Sequence, residues 1–228
     1  MYRNCIGDVP KIYLEGIEVP PLTRRRISMI YLSLLGLCNK TIWDFRSVNV
    51  PSSVMEGKSQ LCWQKPDEGW IKINTDAGNF QNGSWGLGVV GRDNNGDIIV
   101  AGHVRKRASP EIICAEAEAV KWGLELARDC SLNQIVIESD NSALIAAFCN
   151  NGVFLNELGD ILNEIRNLAI GFEQVLWKAV PRIRNQLAHD LAKEAAAEDE
   201  FIWIEDIPEL FQQKWLEEKI RSCELSGS

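Results

Sequence analysis

From Trp63 onward the chain carries strand and helix periods in a clear succession. Residues 70–76 (Trp-Ile-Lys-Ile-Asn-Thr-Asp) alternate, with Ile71, Ile73 and Thr75 on one face and Lys72, Asn74 and Asp76 on the other, which predicts a strand. Residues 85–92 form a second apolar run, and Asp93-Asn94-Asn95-Gly96 is strong turn chemistry. Residues 97–106 read as a third strand, so this half is an antiparallel hairpin. Residues 111–129 place Ile112, Ala115, Ala119, Trp122 and Leu126 on one helical stripe. A short strand (134–139), helices over 141–150 and 157–169, a strand over 171–180 and a helix over 184–197 follow. Three strands followed by alternating helices and strands predict an α/β fold. Its sheet is mixed and five-stranded, antiparallel at first and then parallel, and is flanked by helices.

The flanks read differently. Residues 1–26, with Pro10, Pro20 and Pro21, show little periodicity and predict an irregular arm. Residues 27–47 recur as Ile27, Ile30, Leu34, Leu37 and Thr41, a helical spacing, and residues 49–62 have linker composition. The expected division is therefore 1–62 (arm, one helix and linker), 63–205 (a folded domain) and 206–228 (a terminal segment whose end, 212–228, is expected to fray).

Composition narrows the function classes. The chain has 228 residues, 46% of them apolar and 25% charged, as expected of a globular protein with a sizeable core. Net charge is −8, so no general basic coat is available for nucleic acid. Residues 1–62 nonetheless carry eight Lys and Arg against five acids, whereas 63–205 carry 13 against 22. The seven cysteines have no Cys-x-x-Cys spacing, and the two histidines cannot build a His-rich metal site. A reducing, intracellular setting is expected, with no secretory leader. The apolar run from Ile27 to Leu37 is too short to span a bilayer, so no membrane partner is expected.

Three carboxylates stand out by position. Asp76 ends the first strand, Glu116 lies in the first turns of the long helix, and Asp140 ends the fourth strand. Strand ends are where sheets present side chains to ligands. Three carboxylates brought together repel one another unless a cation neutralises them, and hard oxygen donors suit Mg²⁺ or Mn²⁺. Most of the 32 acidic residues are solvated surface, and spacing alone does not assemble this trio.

Five segments in order carry a resemblance. They are Trp63 to Asp76, Trp85-Gly-Leu-Gly-Val-Val-Gly-Arg-Asp-Asn-Asn-Gly96, Cys114-Ala-Glu-Ala-Glu-Ala119, Ile137-Glu-Ser-Asp-Asn141 and Arg182-Ile-Arg-Asn-Gln-Leu-Ala-His-Asp-Leu-Ala-Lys193. Over Lys72 to Lys193 the chain resembles the type-1 ribonuclease H domain, in its reverse-transcriptase-like branch found in plants and linked to non-LTR retrotransposons. The resemblance implies a ribonuclease H-like fold and a two-metal endoribonuclease acting on the RNA strand of RNA–DNA hybrids. Asp76, Glu116 and Asp140 would hold two Mg²⁺ or Mn²⁺ ions. Glu118 would be a surface charge, because two helical residues separate it from Glu116 by about 200°. Trp203 to Leu210, with Pro208, resembles the family's C-terminal strap, and Ile42 to Arg46 resembles a helix preceding the domain.

Two departures bear on activity. Ala77-Gly78 stands where the family has Gly-Ala. His189 stands where the wider family has a fourth Asp, a change common in the plant branch. His189 is expected either to ligate a metal or to shuttle a proton, with a capping or packing role as the structural alternative. Arg184, Asn185 and Asn79 are the expected nucleic-acid contacts, Asn79 through a phosphate or the 2′-hydroxyl. Arg105-Lys106-Arg107 and Arg182 with Arg184, near the fourth site position, are basic clusters whose plain reading is a solvated face, while Arg24-Arg25-Arg26 is read as a phosphate contact or a nuclear-import fragment, three residues being too few to decide. The alternative function is a catalytically weak or inactive nucleic-acid binder of the same fold. The expected state is a monomer, with the nucleus inferred from the substrate.

Overall fold

The computed structural model describes residues 62–80, 83–107, 110–149, 156–195 and 200–224. The expectations for the arm, the 27–47 helix, the linker and the Arg24–Arg26 cluster lie outside the described residues. Strands β1 (Ile71–Asn79), β2 (Ser84–Arg92) and β3 (Ile98–Arg107) come first, followed by helix α1 (Ile112–Asp129), strand β4 (Gln134–Ser139) and helices α2 (Ser142–Cys149) and α3 (Glu157–Ala169). Strand β5 (Gln174–Ala179) leads through a short 3₁₀ turn, Arg182–Arg184, into α4 (Gln186–Glu194). The chain ends in β6 (Phe201–Ile204) and α5 (Glu209–Glu224).

The sheet order is β5-β4-β1-β2-β3-β6. β1, β2, β3 and β6 pair antiparallel in succession, while β4 and β5 run parallel to β1. The mixed architecture is as the sequence predicts, with one strand more than the five expected. β6 is a strand of four residues, too short for an alternation to register, and it forms by pairing with Val100 to His103 of β3. The frayed tail expected over 212–228 is corrected as well. Through Glu224 it is helix α5, whose Phe211 and Trp215 join a core with Val90, Ile98, Ala101, Leu187, Leu191 and Ile207.

The turn at 93–97 is held by the Asp93 carboxylate, which accepts hydrogen bonds from the backbone N–H groups of Asn95 (2.9 Å) and Asp97 (2.8 Å). Gly96 supplies the positive φ of 81° that closes it. Alternation then splits the sheet into two faces. Ile73 and Val89 point into the main core under α1, where Gly123 brings the helix close enough that a Cβ would stand 2.9 Å from Thr75 Cγ2. On the opposite face Gly86 and Gly88 lie beneath α4. A Cβ on either would fall 1.9 Å and 2.1 Å from the carbonyl oxygens of Ala192 and Ala188, so only glycine admits the helix here.

That second face is buried although half of β1 on it is polar. Lys72, Asn74 and Asp76 are all nearly inaccessible. Buried polar atoms require partners, and these have them. Asn74 Oδ1 accepts from Trp63 Nε1 (3.0 Å) and from the Arg92 guanidinium (2.9 Å). Asn74 Nδ2 donates to Glu138 (3.0 Å) and to Asn185 Oδ1 (3.2 Å). Lys72 pairs with Glu138 at 2.9 Å, and Arg92, stacked 3.8 Å over the Trp63 ring, pairs with Glu218 of α5 at 2.6 Å.

Candidate active site

Each carboxylate owes its place to a local feature. Asp76 sits where β1 crosses Gly88, beneath the approach of α4. Glu116 is one turn into α1, brought to β1 by the close contact at Gly123. Asp140 follows β4, fixed by Asn141, whose N–H donates to Ser139 Oγ (3.1 Å) and whose side chain accepts from the Leu144 N–H (3.0 Å) at the start of α2. The result is a cluster in which one oxygen from each of Asp76, Glu116 and Asp140 lies within 4.8 Å of the others.

The electrostatics of this cluster are unfavourable without a counter-charge. Burial, then the neighbouring Asp140 carboxylate, pushes Asp76 from an ordinary 3.8 to about 8. Burial, then Asp76 and Asp140, pushes Glu116 from 4.5 to about 9, against the pull of a backbone hydrogen bond from Ala77 and the Arg182 charge. Glu116 Oε2 is buried and accepts no hydrogen bond. An orphaned carboxylate oxygen beside two further carboxylates is an oxygen-only donor set that fits a hard divalent cation.

His189 lies beside the cluster and makes one contact with it. Its Nδ1 is 2.7 Å from Asp76 Oδ2, and one guanidinium nitrogen of Arg182 lies 2.7 Å from its Nε2 and 3.1 Å from its Nδ1. Burial and the positive charges of Arg182 and Lys193 hold the imidazole below its ordinary pKa, so it is neutral at pH 7. Once a cation ionised Asp76, Nδ1 would carry the proton and donate to it, leaving Nε2 as the acceptor nitrogen.

The family is decided by the sequence of this same region. A profile described as reverse transcriptase-like matches residues 74–195, more than half of the chain. The chain belongs to the reverse transcriptase-like family. Solved structures add the fold. RNase H1 from the halophilic archaeon Halobacterium salinarum is 24% identical, with a TM-score of 0.52 over 55% of this chain and 96% of its own. The N-terminal RNase H domain of rv2228c from Mycobacterium tuberculosis is 22% identical, with a TM-score of 0.51 over 55% and 92%. LC11-RNase H1 in complex with an RNA/DNA hybrid is 23% identical, with a TM-score of 0.50 over 55% and 95%. Curated protein sequences give no match. The domain is thus a ribonuclease H-like fold of the reverse transcriptase-like family.

The remaining expected site residues are placed as follows. Asn79 is exposed at the end of β1, on the opposite side of the strand from Asp76 by alternation. Arg184 is half-buried in the 3₁₀ turn. Asn185 requires a correction. It is 1% exposed, its Nδ2 donates to the Thr75 carbonyl (2.8 Å) and its Oδ1 accepts from Asn74, so in this structure it anchors the strand beside Asp76. Glu118 stays out of the cluster and pairs with Lys121 at 2.9 Å. Arg182 is the residue that the sequence undervalues. It lies in the 3₁₀ turn ahead of α4, and nothing local in the sequence shows that its side chain folds back onto His189.

Proposed function

We propose that this protein is an endoribonuclease that hydrolyses the RNA strand of RNA–DNA hybrids. The observation that carries the reading is the convergence of Asp76, Glu116 and Asp140, from three separate elements, around the unpartnered Glu116 Oε2. The hybrid bound by LC11-RNase H1, a protein of the same fold, supports the choice of substrate. Asp76, Glu116 and Asp140 would hold Mg²⁺ or Mn²⁺, two ions in the full reading. Bound divalent ions would supply water activation and charge neutralisation at the phosphodiester. The chain's own part is preorganisation. Asn185 and Asn74 hold the Thr75–Asp76 backbone, Asn141 holds Asp140, and Asp76 orients the His189 ring so that Nε2 is available to accept or return a proton once Arg182 moves away. Asn79, at the exposed end of β1, and Arg184, in the turn that carries Arg182, are the proposed contacts to the backbone of the hybrid.

A second reading has one observation in its favour. Both ring nitrogens of His189 are engaged in this structure, which favours slow turnover or hybrid binding without cleavage. A labelled hybrid incubated with Mg²⁺ or Mn²⁺, beside an Asp76→Asn control, separates the two. Cleavage that disappears in the control supports the nuclease. Retention without cleavage supports the binder, and cleavage that survives Asp76→Asn rejects the assigned site.

A further inference from the structure

Arg182 stands on a rigid base with a loose tip. The turn beneath it is closed by Arg184 N–H to the Pro181 carbonyl (2.8 Å) and Asn185 N–H to the Arg182 carbonyl (3.0 Å), and Asn185 ties it to β1. The Arg182 side chain itself is 61% exposed. One guanidinium nitrogen lies across the His189 ring, 2.7 Å from Nε2 and 3.1 Å from Nδ1, and another is 3.9 Å from Asp140 Oδ2. A half-solvated contact of this length holds the arm weakly. A divalent cation on the same carboxylates would repel a guanidinium at this distance, so the two compete for one patch of negative charge.

We infer that Arg182 is the built-in counter-ion of the carboxylate pocket: it covers Asp140 and His189 Nε2 in the cation-free protein, and a loading divalent ion displaces it, releasing its guanidinium to a substrate phosphate. This rests on the reading of Asp76, Glu116 and Asp140 as a cation site. Arginine suits both positions, since its planar fork matches carboxylate and phosphate alike. Displacement also returns His189 Nε2 to the site, so cation loading and histidine availability are linked through one side chain.

Mn²⁺ titration of the cation-free protein by calorimetry, at low and high salt, tests the assignment without any turnover. Arg182→Ala should bind Mn²⁺ about five- to tenfold more tightly than wild type at low salt, with the gap narrowing as salt screens the site. Arg182→Lys, which keeps the charge, should stay near wild type. At saturating Mn²⁺, Arg182→Ala should raise KM for a labelled hybrid severalfold, through the lost phosphate contact. Equal or weaker Mn²⁺ affinity in Arg182→Ala, or an unchanged KM, overturns the inference while leaving the cation site standing. Failure of wild type and variant alike to bind Mn²⁺ removes the cation site and this inference together. Because the side chain is exposed, unchanged thermal melting of the variants at low pH confirms that the fold is intact.

Discussion

Asp76 and Glu116 are acids that the fold keeps protonated far above their ordinary range, at about 8 and about 9. The unfolded chain releases those protons near pH 4, so folded protein holds more protons than unfolded protein between about pH 4 and 9. Stability is then fully present below the unfolded values and is lost as pH rises through the folded ones. Cation-free protein should melt at progressively lower temperature from pH 5 to pH 9. Mn²⁺ should raise the melting temperature more at pH 8.5 than at pH 5.5, because loading requires the protons to leave. Asp76→Asn removes one repelling charge and should raise the melting temperature in chelator at pH 8.5 while changing it little at pH 5. A variant that melts below wild type at both pH values would show that Asp76 contributes packing rather than repulsion.

The elements meet at this point because of what β2 lacks. Gly88 has no side chain, and α4 rests on the space that leaves, which carries His189 within 2.7 Å of Asp76. Gly88→Ala forces a Cβ against the Ala188 carbonyl, and helix or strand must shift. The expected cost is on the order of 2–4 kcal/mol in denaturant unfolding, with activity falling further than stability as His189 and Asp76 separate. The other element-level joint is the pair between Arg92 of β2 and Glu218 of α5. Arg92 is 1% exposed, so Glu218→Ala leaves a buried charge with Asn74, the Trp63 ring and the more distant Glu138 carboxylate in place of its direct ion pair. Such a loss costs about 3 kcal/mol, and Glu218→Gln should recover part of it as a neutral hydrogen bond.

For the molecule as a whole, α5 belongs to the folded unit and closes the polar face of the sheet. A chain ending at residue 205 would lose Ile207, Phe211 and Trp215 from the second core and open Arg92 and Asn74 to water. It should unfold at markedly lower denaturant concentration, with a shallower slope reflecting less buried surface. Weakened Mn²⁺ binding should accompany this, because Asn74 and Asn185 no longer hold the Thr75–Asp76 backbone as firmly. An unchanged unfolding midpoint would return the segment to the status of a tail.

The order of strands and helices from β1 to α4 could be read from periodicity, because alternation and the 3.6-residue stripe are local properties of chains that bury one face. The three carboxylates could be picked out by position and by the order of the matching segments. Their convergence, the orphaned oxygen of Glu116 and the contact between Arg182 and His189 are products of strand register and of helix approach at Gly88 and Gly123. The polar residues Lys72, Asn74 and Arg92 look like a solvated strand face in the sequence. They are buried because residues far along the chain supply partners: Glu138 of β4 for Lys72, Glu138 and Asn185 for Asn74, and Glu218 of α5 for Arg92. Local pattern sets which residues share a face; only long-range packing decides whether that face meets water or protein.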